Sequence, residues 1–155
     1  MIRLSRMADY AVVLMTYIAT EDARARNAAE VACETRLPSP TVSRILKNLA
    51  RAGLLQSTRG IKGGYMLASP ATDITVVDII AAVDGPIAMT DCVEDGAGEC
   101  DIETFCPLRS HWQVINAAVR GALQQVTLAD LSAPMTMFPG GPPRVRLTDR
   151  PHHGR

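Results

Sequence analysis

A mainly helical fold with one small β-hairpin is predicted by three observations. Apolar residues make up 47% of the 155-residue chain but aromatics only 4%, so the core must be assembled from Ala, Val, Ile, Leu and Met. Several segments repeat their apolar residues at three- and four-residue steps, the period of a one-sided helix. A glycine-rich turn, RGIKGG at 59–64, joins two short runs suited to strands.

The elements follow in order. Residues 3–19 predict a first helix, with Leu4, Met7, Ala8, Val12, Met15, Ile18 and Ala19 close to one face. Asn27 suits the N-cap of a second helix over 28–35, in which Cys33 is expected as a small buried core residue. In RLPSPTVSRILKNLARAGLL, Ser39 suits an N-cap, Pro40 the first helical position and Gly53 the residue that ends the helix. Val42, Ile45, Leu46 and Leu49 form the apolar face of this third helix, which turns Thr41, Ser43, Arg44, Lys47, Asn48 and Arg51 outward. Strands over about 54–58 and 65–68 then flank the turn. Gly60, Gly63 and Gly64 are expected to supply its positive φ angles, while Arg59 and Lys62 project from its tip.

A further helix over 76–83 closes at Asp84-Gly85-Pro86. Pro107 opens the longest one, where Leu108, Trp112, Ile115, Val119, Ala122 and Val126 step by four and three. That seam is the pattern of a helix packed along another helix, although the same face can also cover the chain's own core. From Ser132 onward, prolines and the loss of periodicity predict a disordered tail.

Helix–turn–helix followed by a basic, glycine-tipped hairpin is the order of a winged helix. The third helix then enters the major groove of double-stranded DNA, with Ser39, Thr41, Ser43 and Arg44 toward base edges. Lys47 and Arg51 suit phosphates, and the wing residues Arg59, Gly60 and Lys62 reach the backbone or minor groove. Charge supports this division. Residues 1–68 carry ten Lys and Arg against five Asp and Glu, a balance of +5, whereas residues 69–131 carry two against ten, a balance of −8. A symmetric reader of a pseudo-palindromic operator needs two copies, and the seam helix is the expected homodimer element.

Between reader and seam helix lies DCVEDGAGECDIETFCP. Residues 91–106 hold three cysteines, six carboxylates and no Lys or Arg, so they have almost nothing to pack as a core. Thiolates holding an iron–sulfur cluster give such a loop a reason to be ordered. The spacing C-x7-C-x5-C differs from paired C-x2-C zinc patterns, while a zinc site of three Cys and one further ligand stays open. Carboxylates beside the thiols argue against reactive low-pKa cysteines. The resulting organisation is a DNA-binding domain at 1–84, a cysteine loop at 85–106, a dimerisation region at 107–131 and a tail at 132–155. No phosphate-cradling loop or nucleophile–base group points to an enzyme. No run of about 18 apolar residues suggests a membrane span. The N-terminal apolar run is interrupted by Asp9 and Tyr10 and lacks a small-residue cleavage site, so a cytoplasmic location is expected.

Residues 1–131 resemble the winged-helix iron–sulfur and iron-responsive regulators that include IscR, NsrR and RirA. The resemblance rests on RLSRMADYAV, SRILKNLARAGLLQSTRGIKGGYML and ITVVDIIAAVDGPIAMTDC. GPIAMTDC and CPLRSHWQVIN are most like the Suf-system regulators of iron–sulfur assembly. The resemblance implies a homodimer with crossed long helices, in which Cys92, Cys100 and Cys106 ligate a 2Fe–2S or 4Fe–4S cluster. IscR-like members place a His three residues after the last Cys; here that place is Arg109, which cannot ligate. NsrR-like members complete the site with an acidic residue of the partner's first helix, and Asp9 stands at that position, preferred over His111. The function so implied is a transcriptional repressor that senses cluster status and controls iron–sulfur assembly or iron-homeostasis genes. The alternative is a regulator responding to zinc, thiol oxidation or nitric oxide through the same cysteines.

Overall fold

The computed structural model describes residues 3–20, 24–60, 63–90 and 106–132. Among the described residues, six α-helices and a two-stranded antiparallel sheet follow in the order α1, α2, α3, β1, β2, α4, α5, α6. Helix α1 spans Arg6–Thr20. It starts later than residue 3 because the Ser5 hydroxyl accepts the Ala8 N–H at 3.0 Å, capping the helix there. Leu4 therefore precedes the helix and lies exposed rather than on its apolar face. Ala8, Ala11, Leu14, Met15 and Ile18 form the buried stripe.

Helix α2, Ala28–Thr35, is capped by Asn27, whose side chain accepts the Glu30 N–H at 2.9 Å. Cys33 corrects an expectation: it faces solvent, because Val31 and Ala32 take the buried positions of this short helix. The turn into α3 bends at Arg36, whose φ of 57° and ψ of 27° place a non-glycine residue in the left-handed region.

Helix α3 spans Ser39–Arg51. Its cap position is Pro38 rather than Ser39, since the Pro38 carbonyl already accepts the Val42 N–H at 3.0 Å, and this moves Pro40 to the second helical position. The helix ends in a Schellman arrangement. Leu54 N–H donates to the Leu49 carbonyl at 3.0 Å and Gly53 N–H to Ala50 at 3.1 Å, with Gly53 at φ 79°.

Strands β1, Leu55–Thr58, and β2, Gly64–Leu67, pair with Leu55 opposite Leu67 and Thr58 opposite Gly64. The glycines of the turn divide their work. Only Gly60 has a positive φ, 117°; a Cβ on Gly63 would lie 2.4 Å from the Thr58 carbonyl oxygen, and one on Gly64 2.4 Å from the Arg26 carbonyl carbon. Arg26 is the reason for the second contact. Its backbone forms an antiparallel bridge with Tyr65, at 3.0 and 2.8 Å, along the other edge of β2.

After a single 3-10 turn at Ala71–Asp73, helix α4 spans Val76–Asp84 and closes at Gly85, φ 90°. Helix α5 spans Arg109–Gln124. Pro107 lies in the turn ahead of it, because the first helical bond, Trp112 N–H to Leu108 carbonyl at 3.0 Å, starts one residue later. The chain then returns: α6, Leu128–Ser132, buries Leu128 in the core that Leu14, Met15, Ile45, Leu46 and Ile79 also fill. Of the expected tail, Ser132 is helical and the remainder lies outside the described residues.

The starts of α4 and α6 are built alike and clasp each other. Thr75 caps α4 and bonds Asp78, Thr127 caps α6 and bonds Asp130, and the two threonines form an antiparallel bridge. The Thr127 hydroxyl and then its backbone N–H hold the Asp130 carboxyl below its ordinary value near 3.8. A depressed carboxyl favours the fold above its ordinary pKa and loses that contribution as pH falls through the lowered folded value. Asp130→Asn is therefore expected to lower Tm at pH 7 by a small amount, with the gap to the parent closing in thermal melts below pH 3.8. Leu128→Ala is expected to cost about 2–5 kcal/mol in denaturant unfolding, as for other fully buried leucines.

Candidate nucleic-acid interface and metal centre

The burial of Val42, Ile45, Leu46 and Leu49 dictates what α3 shows to solvent. Arg44, Lys47 and Arg51 are exposed at three- and four-residue steps, so they form one cationic stripe along the helix. Ser39 is exposed at its N-terminus, and Thr41 and Ser43 are half-buried beside the stripe. Arg59 and Gly60 are exposed on the wing, whereas Lys62 lies outside the described residues. From Thr35 to Thr72 the sequence contains six Lys or Arg and no Asp or Glu. No carboxylate within this segment offsets the cations of helix and wing, and their field extends outward about a Debye length, 8–10 Å at physiological salt.

Arg26 was missed by periodicity. It is 4% exposed, donates to the Tyr17 hydroxyl at 2.8 Å and stands 5.1 Å from that ring's centre. Glu30 accepts from it at 3.5 Å and also from Arg24. No apolar period marks such a residue; the available signal is the pair of arginines in DARAR, between two helices.

The candidate metal centre is divided among elements. Cys106 is half-buried in the turn before α5, with its carbonyl accepting the Arg109 N–H at 3.4 Å. Cys92 and Cys100 lie outside the described residues, and among those that are described no three His, Cys, Asp or Glu converge on a metal-sized site. Asp9 is exposed in the first turn of α1 and His111 in the first turn of α5, and neither side chain has a hydrogen bond or ion pair among the described residues. The donor chemistry fits an iron–sulfur cluster: a partly accessible sulfur at the end of the cysteine loop, and an uncommitted carboxylate and imidazole as rival fourth ligands.

The loop is fastened to α5 at both ends. Asn116, 6% exposed, accepts the Met89 N–H at 3.2 Å through its side-chain oxygen, and Ile87 packs near Leu123 and Val126. At the other end Cys106 leads directly into α5. Near the end of α5 the chain rests on α4, where Leu123 and, just past the helix, Val126 pack against Val76 and Ile80. Its seam is largely uncovered: Leu108 is 54% and Ile115 43% exposed, while Trp112, Val119 and Val126 are half-buried. Covering the chain's own core thus accounts for the end of the seam and not for its start.

Similar proteins match this arrangement. The family model described as Rrf2, an iron-dependent transcriptional regulator, matches residues 4–134. Protein aau3 of Rhizobium meliloti (strain 1021) is 31% identical over 129 residues, 83% of this chain and 84% of its own length. Among solved structures, CymR of B. subtilis, the global cysteine regulator, superposes with a TM-score of 0.66 at 29% identity, covering 85% of this chain and 97% of CymR. IscR of T. potens gives 0.66 at 26% identity over 90% and 94%. The winged helix, its exposed cations and the agreement over nearly the whole described chain place this protein in the Rrf2 family of DNA-binding transcriptional regulators.

Proposed function

We propose that this protein is a homodimeric repressor that reads an operator through α3 and the wing and senses iron–sulfur cluster status through Cys92, Cys100, Cys106 and Asp9 of the partner copy. The observation that carries this reading is the attachment of the cysteine loop to α5 at both ends, through Asn116 and through Cys106. Whatever the cysteines hold acts on the helix whose apolar seam is exposed, and a second copy covering that seam fixes the spacing of the two recognition helices.

Within the reading each residue has a physical task. The three thiolates supply soft ligands, and Asp9 supplies a hard oxygen donor whose exchange makes the site responsive. A bound cluster contributes redox- and iron-dependent lability. With the loop unligated, six carboxylates close together repel one another and any nearby phosphate, which favours release of DNA. Arg44 reads a base edge by two parallel bonds, while Lys47, Arg51, Arg59 and Lys62 neutralise phosphates. The targets in this reading are genes for cluster assembly or iron homeostasis, and the site of action is the cytoplasm.

A thiol-sensing reading draws support from the likeness to a global cysteine regulator. Anaerobic purification separates the two. The cluster reading expects a coloured protein with equimolar iron and sulfide whose visible absorption disappears on Cys92→Ala, Cys100→Ala or Cys106→Ala. Asp9→Ala is expected to make the chromophore labile while His111→Ala leaves it intact. A colourless protein with unchanged DNA affinity on thiol alkylation sinks the cluster and thiol readings together, and a colourless one with stoichiometric zinc leaves the zinc alternative.

For DNA, Arg44→Ala is expected to weaken specific binding by about 1–3 kcal/mol and to relax preference at one base pair. Lys47→Ala is expected to weaken all sequences alike and to reduce the slope of log K against log salt by about one. Fluorescence anisotropy across a salt series measures both.

A further inference from the structure

Among the described residues, Arg26 is the one charged side chain in the protein interior. Burying a cation is costly unless its bonding capacity is used, so its surroundings show what it holds together. Three elements meet on it. From α1, Tyr17 offers its hydroxyl at 2.8 Å and its ring face at 5.1 Å. From α2, Glu30 offers a carboxylate oxygen at 3.5 Å, which Arg24 also engages. From the wing, Tyr65 exchanges both backbone hydrogen bonds with Arg26, at 3.0 and 2.8 Å, and Gly64 lies flat against the Arg26 peptide where a Cβ has no room.

The side chain of Arg26 thus grips α1 and α2, the helices that α3 packs against, and its backbone grips the wing. The hairpin is otherwise held by apolar packing: Leu55 is buried at the end far from the tip, and Tyr65 and Leu67 pack against the core. A hairpin held by apolar packing alone can tilt, and Arg59 near its tip would sweep with it. The Arg26 bridge falls at Tyr65, one residue from the tip end of β2, where a rung best resists such tilting.

We infer that Arg26 is a positioning residue for DNA binding, a clamp that sets the angle between wing and recognition helix without touching DNA. The inference rests on the reading that Arg59 contacts the duplex. A structural role alone would weaken every DNA contact to the same degree, whereas a clamp acts through the wing and spares α3. A double-mutant cycle distinguishes these.

The experiment uses the full chain purified anaerobically and a duplex that this protein selects from a random-sequence DNA pool. Arg26→Met, Arg59→Ala, Arg44→Ala and the pairs Arg26→Met/Arg59→Ala and Arg26→Met/Arg44→Ala are compared by anisotropy. Tyr17→Phe, which removes only the hydroxyl acceptor, and Arg26→Lys, which keeps the charge but not the fork, guard against a misfolded Arg26→Met. With Arg59→Ala, the clamp expects a pair no more than about twofold weaker than the weaker single variant; with Arg44→Ala, it expects the product of the two losses. Tyr17→Phe repeats the pattern in milder form and Arg26→Lys restores part of the affinity. Losses that multiply for both pairs overturn the clamp while leaving the wing contact intact. An Arg59→Ala variant that binds like the parent overturns the wing contact itself, and the clamp with it.

Discussion

The outward direction of every cation on α3 is fixed by four aliphatic side chains on its opposite face. Val42, Ile45, Leu46 and Leu49 are fully buried against α1 and α2, and a helix of 13 residues has no freedom to rotate once they are seated. Burying a side chain of this kind contributes about 1.5–3 kcal/mol, several times the worth of any exposed charge on the other side. The reading surface is therefore a by-product of core packing. That is why three residues placed at helical steps, Arg44, Lys47 and Arg51, form a single stripe with no interaction among themselves to align them.

The same core sets how far the remainder extends. Helix α5 leaves the domain with its first half uncovered and returns through Leu123, Val126 and the short α6. Two polar groups manage this excursion. Asn116 spends a buried amide on the incoming chain at Met89, and Thr127 spends a hydroxyl and an N–H on Asp130 at the point of return. A buried amide unmatched by a partner is costly, so the position of segment 87–90 is closely tied to that of α5.

Much of this was legible in the sequence because it is local. Asn27 before α2 and Gly53 after α3 act within four residues of themselves, and periodicity places the core face of α3. What escaped is long-range or sterically subtle. Arg26 pairs with Tyr65 across 39 positions, and no window of local pattern contains both. Gly63 and Gly64 look like turn residues but answer a close approach of backbone. Cys33 has the composition of a core position yet belongs to a helix too short to bury more than two residues. Leu128 lies just past the seam that ends at Val126, and it plugs the reader's own core. In the candidate metal centre the cysteine spacing is readable, while the proposed contribution of Asp9 from a second copy is beyond any single-chain pattern.

The clasp at Thr75 and Thr127 gives the chain a closed doorway. The chain that departs after α4 re-enters the globule at a hydrogen-bonded rung beside the start of that same helix, so the segment in between is tied to the domain irrespective of its length. Evolution can lengthen, shorten or rewire such an appendage for a new stimulus without repacking the domain that bears it.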